Sequence, residues 1–511
     1  MSERELPTEV SVLIAGAGPT GLSTAIGLGR LGVPALVVER RDAISTHPRA
    51  TGVLTRSMEV LRQWGLEATV LNSATEIEAA ASITPSLAGP EVARIPAYDP
   101  VEAAALSPSR MTVCPQDVLD PLLARAAAAA FPGTTVRTGV ELVDLAQDEA
   151  GVAARLRDVA TGAETLVRAR YVVGADGGRS RVRDLVGVSM RGSHLLSRYR
   201  STLFRARLGG LALPRPAVIY FLTAPSWTGG QRPPTRVLVT CGADRWVLGI
   251  ELPGDGPVQV EEPSREAMVA LIRQAVGDPT VDPDVLSVQT FPVAAEVADR
   301  YQVGRVLLAG DAAHRMPPSG AMGMNTGIQD AHNLAWKLAG AIQGWGGEDL
   351  VASYEEERRP VGELTVARAQ DLGGPMLPLR AELGLIYASR IVDSEAAPAG
   401  DRLAHAWVTT GGARASTLDL LGPGFTLLTG PAGAGWSATA PRAGVPLTHR
   451  IAGGAEAALR IGRTGAVLVR PDGHVAWRCP ELPADPRQAL TRALLRAAGR
   501  AAGAGVRQPV A

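Results

Sequence analysis

Cysteine and lysine are nearly missing from this chain of 511 residues. Its three cysteines, Cys114, Cys241 and Cys479, stand far apart and form no CxxC pair, which argues against a disulfide framework, a zinc ribbon and a dithiol redox centre. No cluster of metal-ligand spacing is present, so no metal is expected. Lys337 is the only lysine; arginine carries the rest of the positive charge. With 51 basic and 51 acidic residues the formal charge is zero, and nothing electrostatic favours nucleic acid or an acidic membrane as a partner. There is no apolar run of about eighteen residues and no signal-peptide pattern. A soluble, cytoplasmic protein of two or three domains is therefore expected. Alanine, glycine and proline are abundant instead, a composition like that of high-GC bacterial chains.

Two glycine signatures almost three hundred residues apart stand out. The first is Val12-Leu13-Ile14-Ala15-Gly16-Ala17-Gly18-Pro19-Thr20-Gly21, followed by the apolar run Ala35–Val38 and Glu39. Its apolar start reads as a buried parallel strand. Gly16 permits the tight turn, Gly18 lets a pyrophosphate approach the backbone, and Gly21 lets the next helix pack on the sheet. That helix, starting near Pro19, turns free N–H groups toward phosphates. Glu39, at the end of the next strand, can accept from ribose hydroxyls and would repel a 2′-phosphate. The second signature is Arg305-Val306-Leu307-Leu308-Ala309-Gly310-Asp311-Ala312-Ala313-His314. Together they suggest one long cofactor, held at its adenosine end by the first segment and near its middle by the second. FAD has that length.

The pattern along the chain predicts helices over Arg56–Gly65, Pro115–Ala130 and 264–277, and long helical stretches over 325–343, 351–372 and 376–393. Residues 134–174 alternate as a small β-meander ending in Tyr171–Gly174. Residues 76–105 read as loop or strand leaving the cofactor domain, and 186–290 as a Pro/Gly-punctuated sheet covering the substrate, with Tyr220, Phe221, Trp227 and Trp246. Beyond about residue 400, short strands and Gly-rich turns mark a separate domain.

Three further segments carry chemistry. In Tyr171–Arg183 a strand enters a tight turn, where Asp176 can hold backbone N–H groups or a ribose hydroxyl; Arg179, Arg181 and Arg183 can meet phosphates or lie on the surface. Asp311 can accept from the hydroxyls of a ribityl chain. Pro317-Pro318-Ser319-Gly320 forces an extended loop and a turn, after which Ala321–Asn325 opens a helix whose positive end suits the charge of a reduced flavin. His314 reads as a structural histidine bonded within its loop.

These segments resemble the GxGxxG, DG and GD fingerprints of the class A flavoprotein monooxygenases, the para-hydroxybenzoate-hydroxylase-like family. The match extends through Pro48-Arg49-Ala50, Gln116 and Asn325–Leu338, and is nearest to the bacterial hydroxylases of aromatic polyketides. Ser416–Gly422 and Gly465–Arg478 resemble the thioredoxin-like tail of that group, here without a redox CxxC. The resemblance implies an α/β fold: a glutathione-reductase-like Rossmann FAD domain (1–75, 106–185 and 291–375), an interleaved β-sheet substrate domain (76–105 and 186–290), a connecting helix (376–400) and a thioredoxin-like C-terminal domain (401–511). It implies that Gly16, Gly18, Pro19, Thr20, Gly21, Glu39 and Arg40 bind the ADP half of FAD. Arg49 and Gln116 would lie along the pyrophosphate and ribityl chain, and Asp176 would serve FAD and NAD(P)H. Gly310 and Asp311 would bind the ribityl side, Pro317 would pack beside the isoalloxazine, and Gly323, Met324 and Asn325 would give backbone donors to its pyrimidine edge. One departure is visible: the family pairs two glycines after the proline loop, whereas here Ala321 follows Gly320, so alanine must keep a negative φ or accept strain.

The activity implied is an NADPH- or NADH-dependent, O2-dependent FAD monooxygenase that hydroxylates an aromatic polyketide or polycyclic phenol through a flavin C(4a)-hydroperoxide. Because the cofactor makes the bonds, no acid–base dyad is demanded and no catalytic base can be named. His194, Tyr199, Tyr220, Arg245 and Trp246 fall in the substrate region but read first as packing, surface or sheet structure. Two alternatives stay open: a Baeyer–Villiger or oxidative-rearrangement enzyme on the same substrates, and a flavin-binding protein without monooxygenase activity. The absence of WxWxIP argues against a halogenase. Whether the protein forms a homodimer is left open.

Overall fold

The computed structural model describes residues 6–45, 47–208, 216–223, 235–242, 244–252, 263–371, 378–395, 397–439 and 444–500. Trp227 lies outside them.

Two eight-stranded sheets dominate. In the first, Val306–Leu308, Glu164–Gly174, Glu9–Ala15, Ala35–Glu39 and Thr135–Thr138 run parallel in that order, with Gln302–Val303 antiparallel at one edge. The strands Val140–Gln147 and Val152–Asp158 attach to Glu164–Gly174 as the expected meander. Parallel strands covered on both faces must be apolar throughout, and Val12, Leu13, Ile14, Leu36, Val37, Val172 and Val173 are all fully buried. Helices Pro19–Arg30, Gln116–Ala130 and Met322–Gln343 pack together on this sheet.

The second sheet is ordered His314–Arg315, Asp284–Ala298, Met190–Arg205, Arg245–Leu252, Arg236–Thr240, Ala217–Leu222, Glu78–Thr84 and Ala93–Pro96. It interleaves with the first, and the strand Asp284–Ala298 runs across the boundary expected near residue 290. Residues 76–105 supply its last two strands and a helix that the sequence pattern did not reveal, Pro100–Leu106, capped by the Asp99 carboxylate accepting from Val101 N and Glu102 N. One face of the sheet packs on the helix Arg265–Val276 through Phe204, Tyr220, Leu238, Trp246, Leu248 and Ile272.

The helix expected over 376–393 is corrected. Only Leu379–Leu383 is helical among its described residues. Beyond Gly384 the side chains that read as a helical stripe are held separately in irregular chain: Tyr387 stacks on His474 at 4.1 Å, and Ile391 enters a core with Phe425 and Trp436. Tertiary contacts override the local pattern there.

The C-terminal unit is a four-stranded sheet ordered Leu447–Ile451, Phe425–Thr429, Ala466–Val469, Val475–Cys479. Its first two strands in sequence are parallel and the last two antiparallel, with the helix Pro486–Ala497 packed against it, as the thioredoxin-like expectation requires. A fully buried ionic cluster fastens it. Arg470 donates to both Glu357 oxygens at 2.6 and 2.8 Å and pairs with Asp472; Lys337 Nζ donates to Glu357 Oε2 at 2.7 Å, and Trp336 Nε1 to Asp472 Oδ2 at 3.0 Å. Burial alone would raise the Glu357 carboxyl, but Arg470 and Lys337 hold it far below the usual range.

Candidate cofactor and substrate site

Three turns meet at the carboxyl end of the parallel sheet, although they lie up to three hundred residues apart. Gly16 has φ +105°, and a Cβ there would lie 2.2 Å from Ala175 O, so the first turn closes on the one holding Asp176. Gly310, at φ +62°, seats against Thr20: a Cβ would come 2.4 Å from Thr20 Oγ1. In a mainly parallel sheet this is where ligands bind.

Gly18 differs from these two. A Cβ on it would meet nothing within 4 Å, and it precedes Pro19, the first residue of a helix with no side-chain cap. The helix start therefore offers free N–H groups beside open space, which suits a diphosphate. Glu39 accepts from Ala17 N and Arg41 N, each at 3.1 Å, so it also braces the glycine loop. Arg40 is exposed at the end of its strand.

Arg49 reaches the same end of the sheet, within charge range of Arg41, Asp311, Asp120 and Glu39. Gln116 is buried and donates through Nε2 to Asp120 Oδ2 at 3.0 Å. Asp120 escaped the sequence reading, although its i,i+4 spacing from Gln116 was the available signal. Burial raises its carboxyl to about 7.

The Asp176 carboxylate accepts from Ser180 Oγ and from Val182 N at 3.1 Å, so it holds its own turn together. Of the arginines expected near phosphates, Arg183 is buried and donates to Ala312 O and Gly178 O, both at 3.2 Å, tying the second and third turns. Arg181 points to Val143 O. His314 is structural, as expected, but its partner is on the helix Met322–Gln343 and not within its loop. It is fully buried, with Nε2 2.8 Å from Asp330 Oδ2, and Arg358 Nε donates to Asp330 Oδ1 at 2.7 Å.

Half-buried Pro317 and exposed Asp311 lead into the helix Met322–Gln343. Ala321 takes the strained alternative, φ +54°, next to Gly320 at φ +72°. Asn325 locks that turn: Nδ2 donates to Ala321 O at 2.7 Å and Gly52 O at 3.0 Å, while Oδ1 accepts from Leu54 N at 2.9 Å. Its side chain is thus fully used within the protein. The first-turn N–H groups, including those of Gly323 and Met324, receive no side-chain cap.

The second sheet completes the site. Strand pairing places Tyr199, Ser201 and Leu203 on the face opposite the one covered by Arg265–Val276, together with Val237, Val239, Ile219, Phe221 and Ile83. Two anchors turn this face to the cofactor unit. His47 joins Ser287 at 2.8 Å and Ser201 at 3.0 Å, and Arg245 pairs with Asp117. Tyr199 stacks on Phe291 with centroids 6.3 Å apart. Of the five residues noted for the substrate region, Tyr199 and Arg245 lie on this face. Tyr220 and Trp246 pack behind it, and His194 sits outside, 3.0 Å from Glu296. His47 gave no signal beyond preceding Pro48-Arg49, because its partners are more than 150 residues away.

Uncapped helix starts suited to a diphosphate on one unit, facing a largely apolar sheet surface on the other, are the arrangement of a flavoprotein. Comparison with known proteins agrees. The profile of the FAD binding domain matches residues 9–369, and that of the aromatic-ring hydroxylase C-terminal region matches 397–501. Aklavinone 12-hydroxylase RdmE of Streptomyces purpurascens is 37% identical, over 96% of this chain and 99% of that protein. Tetracenomycin B2 monooxygenase-dioxygenase of Streptomyces olivaceus is 36% identical over the same shares. Among solved structures, aklavinone-11 hydroxylase with FAD and aklavinone superposes with a TM-score of 0.88 at 34% identity, covering 97% of this chain and all of that one. The flavin-dependent monooxygenase PieE, with FAD and substrate, gives 0.88 at 34% identity over 96% of this chain and 99% of its own. The chain belongs to the FAD-dependent aromatic-ring hydroxylases. It is an FAD enzyme with NAD(P)H as reductant.

Proposed function

We propose that this protein hydroxylates an aromatic polyketide or a similar polycyclic phenol, with FAD lying from the Gly16–Gly21 turn to the start of the helix at Met322. The meeting of the three turns supports this placement more than any other observation. Gly16, Gly18, Pro19, Thr20, Gly21, Glu39 and Arg40 would surround the ADP half. Arg49, Gln116, Asp176, Gly310 and Asp311 would follow the diphosphate and ribityl chain. Pro317, Gly323, Met324 and Asn325 would border the ring.

Bound FAD supplies hydride acceptance from NAD(P)H and activation of dioxygen for transfer of one oxygen atom. The protein's own part is orientation, exclusion of water and charge control. The uncapped N-terminus of the helix Met322–Gln343 favours negative charge at the ring edge beside it. The largely apolar face of the second sheet, whose Arg245 is paired with Asp117, gives a flat aromatic substrate a surface to lie on, and the Tyr199–Phe291 pair adds a stacking element worth about 0.5–1.5 kcal/mol. Its partners on this reading are small molecules, the substrate, dioxygen and NAD(P)H, and its place is the cytoplasm.

The test is oxidation of NADPH and NADH by the purified flavoprotein in air, with and without polycyclic phenols, under isotopically labelled dioxygen. Substrate-stimulated oxidation with one labelled oxygen on an intact ring is expected. Insertion of oxygen into a ring would replace hydroxylation by the Baeyer–Villiger outcome, and no stimulation by any phenol would remove the substrate assignment.

A further inference from the structure

Asp120 lies one turn beyond Gln116 in the helix Gln116–Ala130 and is 1% exposed. Its Oδ2 accepts from Gln116 Nε2, whereas Oδ1 has no hydrogen-bond partner among the described residues. The charged and titratable groups facing it come from every side of the notch: Glu39 from the end of its strand, Arg49 from the loop beyond His47, Asp117 from the same helix, and Cys114 from the segment just before. Asp117 is already paired with Arg245, and Glu39 with two backbone N–H groups. Among the described residues Arg49 is therefore the cation left to balance an ionised Asp120, and it also faces Asp311.

A diphosphate beside Arg49 would draw on that same guanidinium. An ionised Asp120 would then be a buried carboxylate among like charges with a single hydrogen bond, one of the costliest arrangements a protein interior can hold. As a neutral acid it loses the repulsion and gains an O–H donor on the oxygen that lacks a partner. We propose that Asp120 is a neutral carboxylic acid in the cofactor complex, so that binding FAD transfers one proton from solvent to the Asp120 carboxylate. This rests on the placement of the diphosphate proposed above. Burial outweighs Gln116 and Arg49 and brings this carboxyl to about 7 before any cofactor arrives, so the uptake falls within an accessible range. Cys114, pushed by burial to about 12, stays neutral across it.

The experiment titrates deflavinated full-length protein with FAD, read by quenching of flavin fluorescence, from about pH 6 to pH 9. Calorimetry at the upper end, in buffers of different ionisation enthalpy, counts protons. The expected result is a Kd that rises about tenfold per pH unit above neutrality, with about one proton taken up per FAD. Asp120→Asn, which mimics the neutral acid, should bind FAD with no such slope, and Cys114→Ala should keep the wild-type slope. A flat wild-type profile without proton uptake, a slope that survives in Asp120→Asn, or one that disappears in Cys114→Ala would each overturn the assignment. Failure to bind FAD at every pH would instead sink the cofactor placement beneath it.

Discussion

Lys337, the only lysine in the chain, has its ammonium 2.7 Å from Glu357 Oε2, and both side chains are completely buried. Glu357 also accepts from both terminal nitrogens of Arg470, so the helices Met322–Gln343 and Glu348–Asp371 grip the C-terminal unit through one shared carboxylate. Burying charge is costly, and such a cluster persists only while every member is matched. Arg470→Met should therefore destabilise the protein by about 3–5 kcal/mol, because Glu357 and Asp472 lose their common cation. Urea denaturation of the variant checks this, and limited proteolysis should release the C-terminal unit first. A loss below about 1 kcal/mol would mean that the cluster is solvated.

The same burial makes a chemical prediction. An amine-reactive ester should leave Lys337 unlabelled in the native protein and modify it only in denaturant, as peptide mapping would show. Native-state labelling at Lys337 would contradict its position under the C-terminal unit.

Gly16 and Gly18 should separate folding from cofactor binding. Gly16→Ala drives a Cβ into Ala175 O and demands a left-handed φ, so stability should fall by more than about 1 kcal/mol. Gly18→Ala adds a Cβ that meets no protein atom within 4 Å, and its melting temperature without FAD should stay close to wild type. Its Kd for FAD should rise at least about tenfold, since the backbone must lie close to the diphosphate. Unchanged affinity would remove Gly18 from the cofactor contact.

Ala321 holds a conformation that costs an L-residue about 1–2 kcal/mol. Ala321→Gly should raise stability by about 0.5–1 kcal/mol, the unfolded state's extra freedom offsetting part of the relief. A β-branched residue there should lower it. Thermal melts of the variants in parallel decide this, and a destabilised glycine variant would show that the strain is relieved elsewhere.

Glu382 gives a pH dependence. Burial raises its carboxyl from 4.5 to about 7, against the opposing bonds from Arg56 N and Tyr98 Oη, both at 2.6 Å. The folded value exceeds the unfolded one, so the contribution is whole below about pH 4.5 and is lost as pH rises through about 7. Wild type should thus lose up to roughly 3 kcal/mol relative to Glu382→Gln between these limits. Chemical denaturation of both proteins at several pH values measures the difference, and parallel curves would rule the assignment out.

Local patterns in the sequence were enough to reveal the parallel strands around Val12, Val37 and Val173, the glycine turns and the long helices, because a strand or helix buried along its length writes its period into neighbouring residues. They also exposed the anomaly at Ala321, since a missing glycine is a local fact. The helix expected over 376–393 failed for the complementary reason: Tyr387 and Ile391 answer to His474 and Phe425, not to each other. The partners of Asp120, the link from His47 to Ser201 and Ser287, and the burial of Lys337 under Arg470 are likewise unreadable in one dimension. A charge or hydrogen bond is satisfied by whatever the fold brings within about 3 Å, and that is set by chain crossings hundreds of residues apart. The sequence by itself determined the elements and the kind of cofactor they suit; only the tertiary structure decided which polar groups are matched and which, like Asp120 Oδ1, remain open.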